Sequence, residues 1–328
     1  MASVNRQPRG LVCAACLTLA LAVTACTASG GSAPGPAAGT GRPVIVVGSF
    51  DFPESVMLAY LYADALAGRG YPVRVLPGLG TRELVDPALM TGLLQLVPEY
   101  TGSALEFVSL GRVRATPSVA ATAGALAMAI ARRGLIIGRP AAAQDGNAIV
   151  VTAATAARYR LRTISDLAAV ANRLVFGGPP ECPERAYCLL GLRLTYGLRF
   201  HQFVPLDAGG PLTRQALAAG DISVALLFTT DPAIKAQHLV VLSDDRGLQP
   251  ADNVVPVLRR ATAGRYGAGL LAALDAVSAR LSTAGLAALD ADVELGSGDP
   301  GAVAERWLRA EGLAGPGAGP GRTGRAER

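Results

Sequence analysis

The sequence predicts an α/β protein of two lobes, and three observations carry that expectation. Short Val- and Ile-rich runs alternate with helical stretches, the pattern of parallel strands buried beneath helices on both faces. The alternation comes in two series, the second opening near Asn147. The body that holds them, residues 43–314, is long enough for one large or two medium domains, and the chain is 51% hydrophobic, so a sizeable core can form.

The first series opens with a continuous apolar run at residues 44–48. Asp51, Phe52, Pro53 and Glu54 then read as a helix start. Asp51 can cap, Pro53 suits a first turn and Glu54 follows three residues after the cap. This helix should reach about Ala67 and stop at Gly68 and Gly70. Next come a strand over 73–76, a tight turn at Gly78 and Gly80, and a helix from Thr81 to near Gly92. Residues 93–97 read as a strand, residues 99–103 lead into another helix, and the Ala-rich stretch 118–133 is helical.

The second series begins with a strand over 149–152. A strand at 174–176 and a loop from Gly177 lead to a helix over 186–196. Then follow a strand at 200–204, a helix ending at Gly220, a strand at 223–228 and a last strand at 239–242. The remaining chain is expected to be mainly helical, closing with a helix over 302–313 that carries Trp307. One lobe would then hold residues 43–146 and 244–314, the other residues 147–243. Ligands bind such sheets at the carboxyl ends of the strands, where Phe50, Asp51, Tyr100 and Ser103 stand. A cleft between lobes, closed by a hinge, is a common place for a small molecule.

The ends bear on location. Arg6 and Arg9 precede an apolar stretch at 11–23, which is short for a membrane span but has the length of a signal-peptide core. Val23, Thr24 and Ala25 before Cys26 resemble a lipobox. That resemblance implies a signal peptide over 1–25 and a lipid-modified Cys26 on the extracytoplasmic face of a cell membrane; the other reading is a plain secretory signal. Residues 26–42 are almost all Ala, Gly, Ser, Thr and Pro, a flexible tether, and residues 315–328 form a similar tail. The tail contains Gly319, Gly321 and Gly324 in a G-x-G-x-x-G pattern, but without a strand before it and a helix after it the dinucleotide motif fails.

The formal charge is +5, its basic residues scattered with few aromatics between them, and Lys235 is the sole lysine. That balance points to no nucleic-acid partner. Beyond Cys26, the mature part holds Cys182 and Cys188. In an oxidising compartment such a close pair is expected to form a disulfide, and no further cysteine or nearby histidine completes a zinc site. The two histidines, His201 and His238, show no local nucleophile motif, and G-x-S-x-G, P-loop and H-E-x-x-H patterns are absent. The expectation is a binding protein, not an enzyme, with neither metal nor cofactor.

Several motifs in order resemble one family. They are Val47-Gly48-Ser49 with Phe52-x-Glu54, Gly78-Leu79-Gly80-Thr81-Arg82-Glu83-Leu84-Val85, and Pro98-Glu99-Tyr100-Thr101-Gly102-Ser103. Pro179-Pro180-Glu181-Cys182-Pro183, Leu206-Asp207-Ala208-Gly209 and Thr229-Thr230-Asp231 continue the series. Together they are similar to the quaternary-amine binding proteins of the ProX and OpuC type. The resemblance implies the type II periplasmic-binding fold and a lipoprotein of an ABC importer. Such a protein would capture a glycine betaine-, choline- or carnitine-like osmoprotectant and pass it to permease and ATPase subunits.

A quaternary ammonium donates no hydrogen bond and is best held by aromatic faces, at about 0.5–2 kcal/mol per ring; a carboxylate wants Arg or N–H donors. The family resemblance places Tyr100, Ser103, Asp145 and Phe228 at ligand positions, with Phe50, Asp51 and Thr229 beside them. Arg185 matches an arginine that meets the ligand carboxylate. Asn147 and Arg214 stand where cage tyrosines are usual. A depleted cage leaves two other readings open: the same importer role with a different polar solute, or a cell-surface lipoprotein without transport.

Overall fold

A computed structural model describes residues 42–296 and 298–315. The expected signal segment, Cys26, the tether up to residue 41 and the tail from residue 316 lie outside the described residues. The described chain forms two five-stranded sheets flanked by helices. The first half-series is β1 (Ile45–Gly48), α1 (Pro53–Ala67), β2 (Val73–Leu76), α2 (Arg82–Thr91), β3 (Leu96–Tyr100), α3 (Thr101–Ser109), α4 (Val119–Ala131) and β4 (Leu135–Ile137). The second is β5 (Asn147–Val151), α5 (Ala153–Tyr159), β6 (Val175–Gly178), α6 (Leu189–Tyr196), β7 (Gln202–Pro205), α7 (Pro211–Ala219), β8 (Val224–Phe228), α8 (Pro232–Ala236) and β9 (Val240–Val241). The chain then returns through β10 (Val254–Arg259) to α9 (Arg260–Tyr266), α10 (Ala268–Ser278), α11 (Thr283–Glu294) and α12 (Pro300–Ala310).

The sheets repeat one plan. The first has the order β2-β1-β3-β10-β4 and the second β7-β6-β8-β5-β9. In each, the fourth strand, β10 or β5, runs against its neighbours. These two reversed strands are the ones that cross between lobes. The crossing segments lie side by side, with a bridge from Gln144 to Asn253 and the Asp145 N–H donating to the Asp252 carbonyl at 3.1 Å. Leu248 still packs against the second lobe's core.

Alternation along each strand feeds two cores per sheet. Ile45, Val47 and Leu258 join α1, α10, α11 and α12 on one face of the first sheet, while Val46, Val97 and Val257 join α2, α3 and α4 on the other. Ile149 and Leu226 pack with α6, whereas Val150 and Leu227 pack with α7. Cys182 and Cys188 are joined, with Cα atoms 5.2 Å apart.

The structure corrects two expectations. β3 lies three residues later than the 93–97 run, because Leu94 tucks under Gly48 while Leu96 takes the ladder position beside Val47. The chain after Gly247 is mainly helical, as expected, but it opens with β10, and neither β10 nor β4 is among the strands expected from the sequence. Pro256 in the middle of β10 argues against a central strand. It faces Pro98 of β3, however. The ladder bonds run from Thr101 to Asn253 and from Arg259 to Gln95. Alternation therefore leaves the proline pair at a non-hydrogen-bonded position of the β3–β10 ladder. On its other side Pro256 lies just past the last β4 residue, where its carbonyl accepts the Gly138 N–H at 2.8 Å.

Candidate functional site

A cleft between the lobes encloses about 710 Å³ including its open mouth. The first lobe contributes Phe50, Asp51 and Phe52 from the end of β1, Thr81 and Arg82 from the start of α2, and Ser103 and Glu106 from α3. The second contributes Asn147 of β5, Phe228 of β8, and Glu181, Arg185 and Tyr187 of the disulfide loop.

Local sequence explains these placements. Gly78 and Gly80 adopt φ of +63° and +117°, values that favour glycine. The Gly78 N–H donates to Ser49 Oγ at 2.8 Å, so the turn is pinned and delivers Thr81 and Arg82 to the cleft. Phe50 is held by its N–H donating to Ser55 Oγ at 2.9 Å. Phe50 and Phe52 stack with centroids 6.0 Å apart, and Phe52 meets Phe228 at 5.1 Å across the lobe boundary. Gly209 leaves room for the Phe228 ring, since a Cβ there would lie 3.1 Å from it.

Of the residues expected at the site, Phe50, Asp51, Ser103, Asn147, Arg185 and Phe228 line the cleft. Ser103 Oγ and the Gly102 and Ser103 N–H groups all donate to Asp252, so that hydroxyl is already engaged. Asn147 donates from Nδ2 to the Tyr187 carbonyl at 2.9 Å. The amide thus ties down the disulfide loop, and Tyr187 supplies a ring to the same cleft. Arg185 donates to Glu83 at 2.8 and 3.0 Å and lies over the Phe107 ring, so it reaches from the second lobe to the first.

Tyr100, Asp145, Arg214 and Thr229 fall outside this lining. The Tyr100 hydroxyl donates to Glu54, with its ring 6.1 Å behind Phe52. Thr229 Oγ1 donates to Asp145 at 3.0 Å. Arg214 pairs with Asp231 of its own lobe at 3.1 Å and with Glu294 of α11.

A smaller, acid-lined crevice behind Phe52 and Phe228 is formed by Glu54, Asp231, Asp290 and Glu294. The four residues stand behind its lining: Tyr100 bonds to Glu54, Asp145 accepts the Thr230 N–H as well as the Thr229 hydroxyl, and Arg214 holds Asp231 and Glu294. Thr230 Oγ1 of the second lobe donates to Glu54 Oε2 at 2.8 Å. Burial, then the neighbouring Asp290, pushes the Glu54 carboxyl well above its ordinary range. Burial likewise lifts Asp290 to about 8, and burial followed by the Glu54 charge raises Asp145.

Sequence reasoning singled out neither Phe52, Arg82, Glu106 nor Tyr187 as a ligand contact. Phe52 reads in sequence as part of a helix start, and it is the N-cap of α1. Arg82 sits at the carboxyl end of β2 in a quoted motif, and Tyr187 between paired cysteines; those positions were the available signals.

The chain matches, over residues 43–310, the family described as the substrate binding domain of ABC-type glycine betaine transport systems. A glycine-betaine-binding protein of Pseudomonas aeruginosa is 30% identical over 274 residues, covering 80% of this chain and 86% of the relative. Glycine betaine-binding protein YehZ of Escherichia coli is 26% identical, covering 82% and 90%. A solved glycine betaine/carnitine/choline ABC transporter structure superposes with a TM-score of 0.65 at 21% identity, covering 82% of this chain and 99% of that one; that likeness bears on the fold, which is the type II periplasmic-binding fold.

Proposed function

Because the chain belongs to the family of substrate-binding domains of ABC-type glycine betaine transport systems, whose members are solute-binding proteins and not enzymes, we propose that it captures a quaternary-amine osmoprotectant in the cleft between its lobes. It then hands the solute to a permease driven by an ATPase. The observation that carries this reading is the contact between Phe52 and Phe228, one ring from each lobe, with Tyr187 on the same cleft. Aromatic faces attract a desolvated cation that cannot hydrogen-bond. Rings from both lobes make that attraction depend on closure, which is how a ligand selects the closed state. Cys26 and the tether, in this proposal, anchor the protein at the extracytoplasmic face of the membrane.

A second reading keeps the importer role and changes the solute. It is favoured by Asn147 and Glu106 in the cleft and by Tyr100 being turned to Glu54. A thermal-shift screen of the purified chain against betaines, choline, carnitine, ectoine, polyamines, amino acids and sugars separates the two. A ligand specific to the native state adds about 2.7 kcal/mol at a hundredfold excess over its Kd. Stabilisation confined to quaternary amines is the expected result; stabilisation only by another class selects the second reading.

A further inference from the structure

We propose that Arg82 is the residue that reads the carboxylate of a zwitterionic ligand and so sets the preference for betaines over carboxylate-free amines such as choline. The inference rests on the quaternary-amine reading and adds a specificity-determining residue to it.

The argument starts from donor counting. A guanidinium has five N–H donors and no acceptor. Arg82 gives Nε–H and one Nη2–H to Glu99, at 3.1 and 2.9 Å. The other three find no acceptor among the described residues, although the side chain is only 19% exposed and borders the cleft. One face of the guanidinium is covered by Phe50, 4.8 Å away. A partly buried cation with an unused edge on a cleft is built to meet a planar anion, since that edge matches a carboxylate.

Arg82 is also held in place. Glu99 is 2% exposed and accepts the Tyr100 N–H at 2.9 Å as well as the arginine fork. Burial opposes the Arg82 charge, but the Glu99 carboxylate overrides it and keeps the guanidinium charged. Arg185, by contrast, is tied to Glu83, which is half exposed, and that pair joins the two lobes. An arginine fixed before the ligand arrives loses less freedom on binding than one recruited from a surface pair.

The order of groups fits a small zwitterion. The Arg82 guanidinium, Phe50, Phe52 and Phe228 follow one another at 4.8, 6.0 and 5.1 Å. The Phe50 face next to Arg82 is already taken by a cation, so a ligand's ammonium belongs at Phe52 and Phe228 and its carboxylate at Arg82.

The test is calorimetric titration of the full chain with glycine betaine and with choline, for the wild type, the Arg82→Gln/Glu99→Gln pair and Arg185→Gln. The double change avoids leaving a buried carboxylate unpaired. The expected result is a wild type that favours betaine, and a double variant whose betaine affinity falls by about 10- to 100-fold while choline affinity moves by less than about threefold. Equal loss of both ligands in a double variant that keeps its melting temperature overturns the inference. So does selective loss of betaine in Arg185→Gln but not in the double variant. Should the double variant not fold, the wild type is titrated with glycine betaine methyl ester, and an affinity equal to that of glycine betaine overturns the inference. A wild type that binds neither betaine nor choline overturns the quaternary-amine reading itself, and the inference with it.

Discussion

Phe52 and Phe228 touch across the lobe boundary at 5.1 Å, and each should matter more to binding than its share of buried area suggests. Phe52→Ala or Phe228→Ala is expected to weaken a quaternary amine by about 3- to 30-fold, the worth of one cation–π face, measured by titration calorimetry. Tyr100→Phe should behave differently. It removes a buried hydroxyl that donates to Glu54, so it should cost about 1–2 kcal/mol of stability in urea unfolding and less affinity than either phenylalanine change. Residue types at the site were legible unevenly. Phe50, Asp51 and Phe228 stand where an apolar run closes, which is visible in sequence, whereas Asn147 opens β5 and stands out only through the family resemblance. Tyr100 also ends a strand, but which way a tyrosine there turns depends on Glu54, 46 residues earlier in sequence, and no local pattern reveals that partner. Arg82 was hidden because a charged residue at a helix start is ordinary; only its pairing with Glu99 sets it apart.

Short elements govern how these side chains are presented, and the disulfide loop is the clearest case. Cys182 and Cys188 close a loop with a sequence separation of 6, and within it Arg185 and Tyr187 face the cleft. Gly191 lets the loop fold back on α6, since a Cβ there would lie 1.9 Å from the Ala186 carbonyl oxygen. Replacing both cysteines by serine should remove about 2 kcal/mol of stability in the chain-entropy account and lower ligand affinity further by freeing Tyr187. Denaturant unfolding and titration of the same variant check the two effects separately. An affinity unchanged from wild type would mean that the loop holds its shape through Asn147 and Gln249, both of which donate to the Tyr187 carbonyl. The strands that start with clean Val and Ile runs were readable from sequence. β4 was not, because three residues give too little periodicity to see. β10 was not, because Pro256 carries a local signal that only its long-range partner Pro98 cancels.

Across the whole molecule the lobes meet over a buried acidic network, and that makes closure sensitive to pH. Glu54 of α1 faces Tyr100 of β3, Thr230 of the segment after β8, and Asp290 of α11. Asp145 in the crossing segment adds charge to the same network, and Arg214 of α7 sits at its edge between Asp231 and Glu294. With the lobes together, burial raises Glu54, Asp145 and Asp290, the last to about 8. Separating the lobes removes the Thr230 hydrogen bond, which by itself favours the charged Glu54, but it also admits water. Burial is the largest cause of the raised values, so rehydration outweighs that loss and moves these groups toward the ordinary carboxylate range near 4. The closed form therefore binds more protons than the open form. Its advantage is complete below the ordinary range and is lost as pH rises through about 8. A ligand that selects the closed form should bind more tightly as pH falls from about 8 toward 5, by at most about tenfold per unit for each proton taken up. Glu54→Gln keeps the size of the side chain and fixes the neutral form, so it should flatten the profile across that window. Calorimetry of wild type and variant in buffers of differing ionisation enthalpy counts the protons directly. Proton uptake in the wild type that Glu54→Gln reduces is the expected result. Equal uptake in both would place the titrating group elsewhere in the cleft, with Glu106, which burial also raises, as the group next in line.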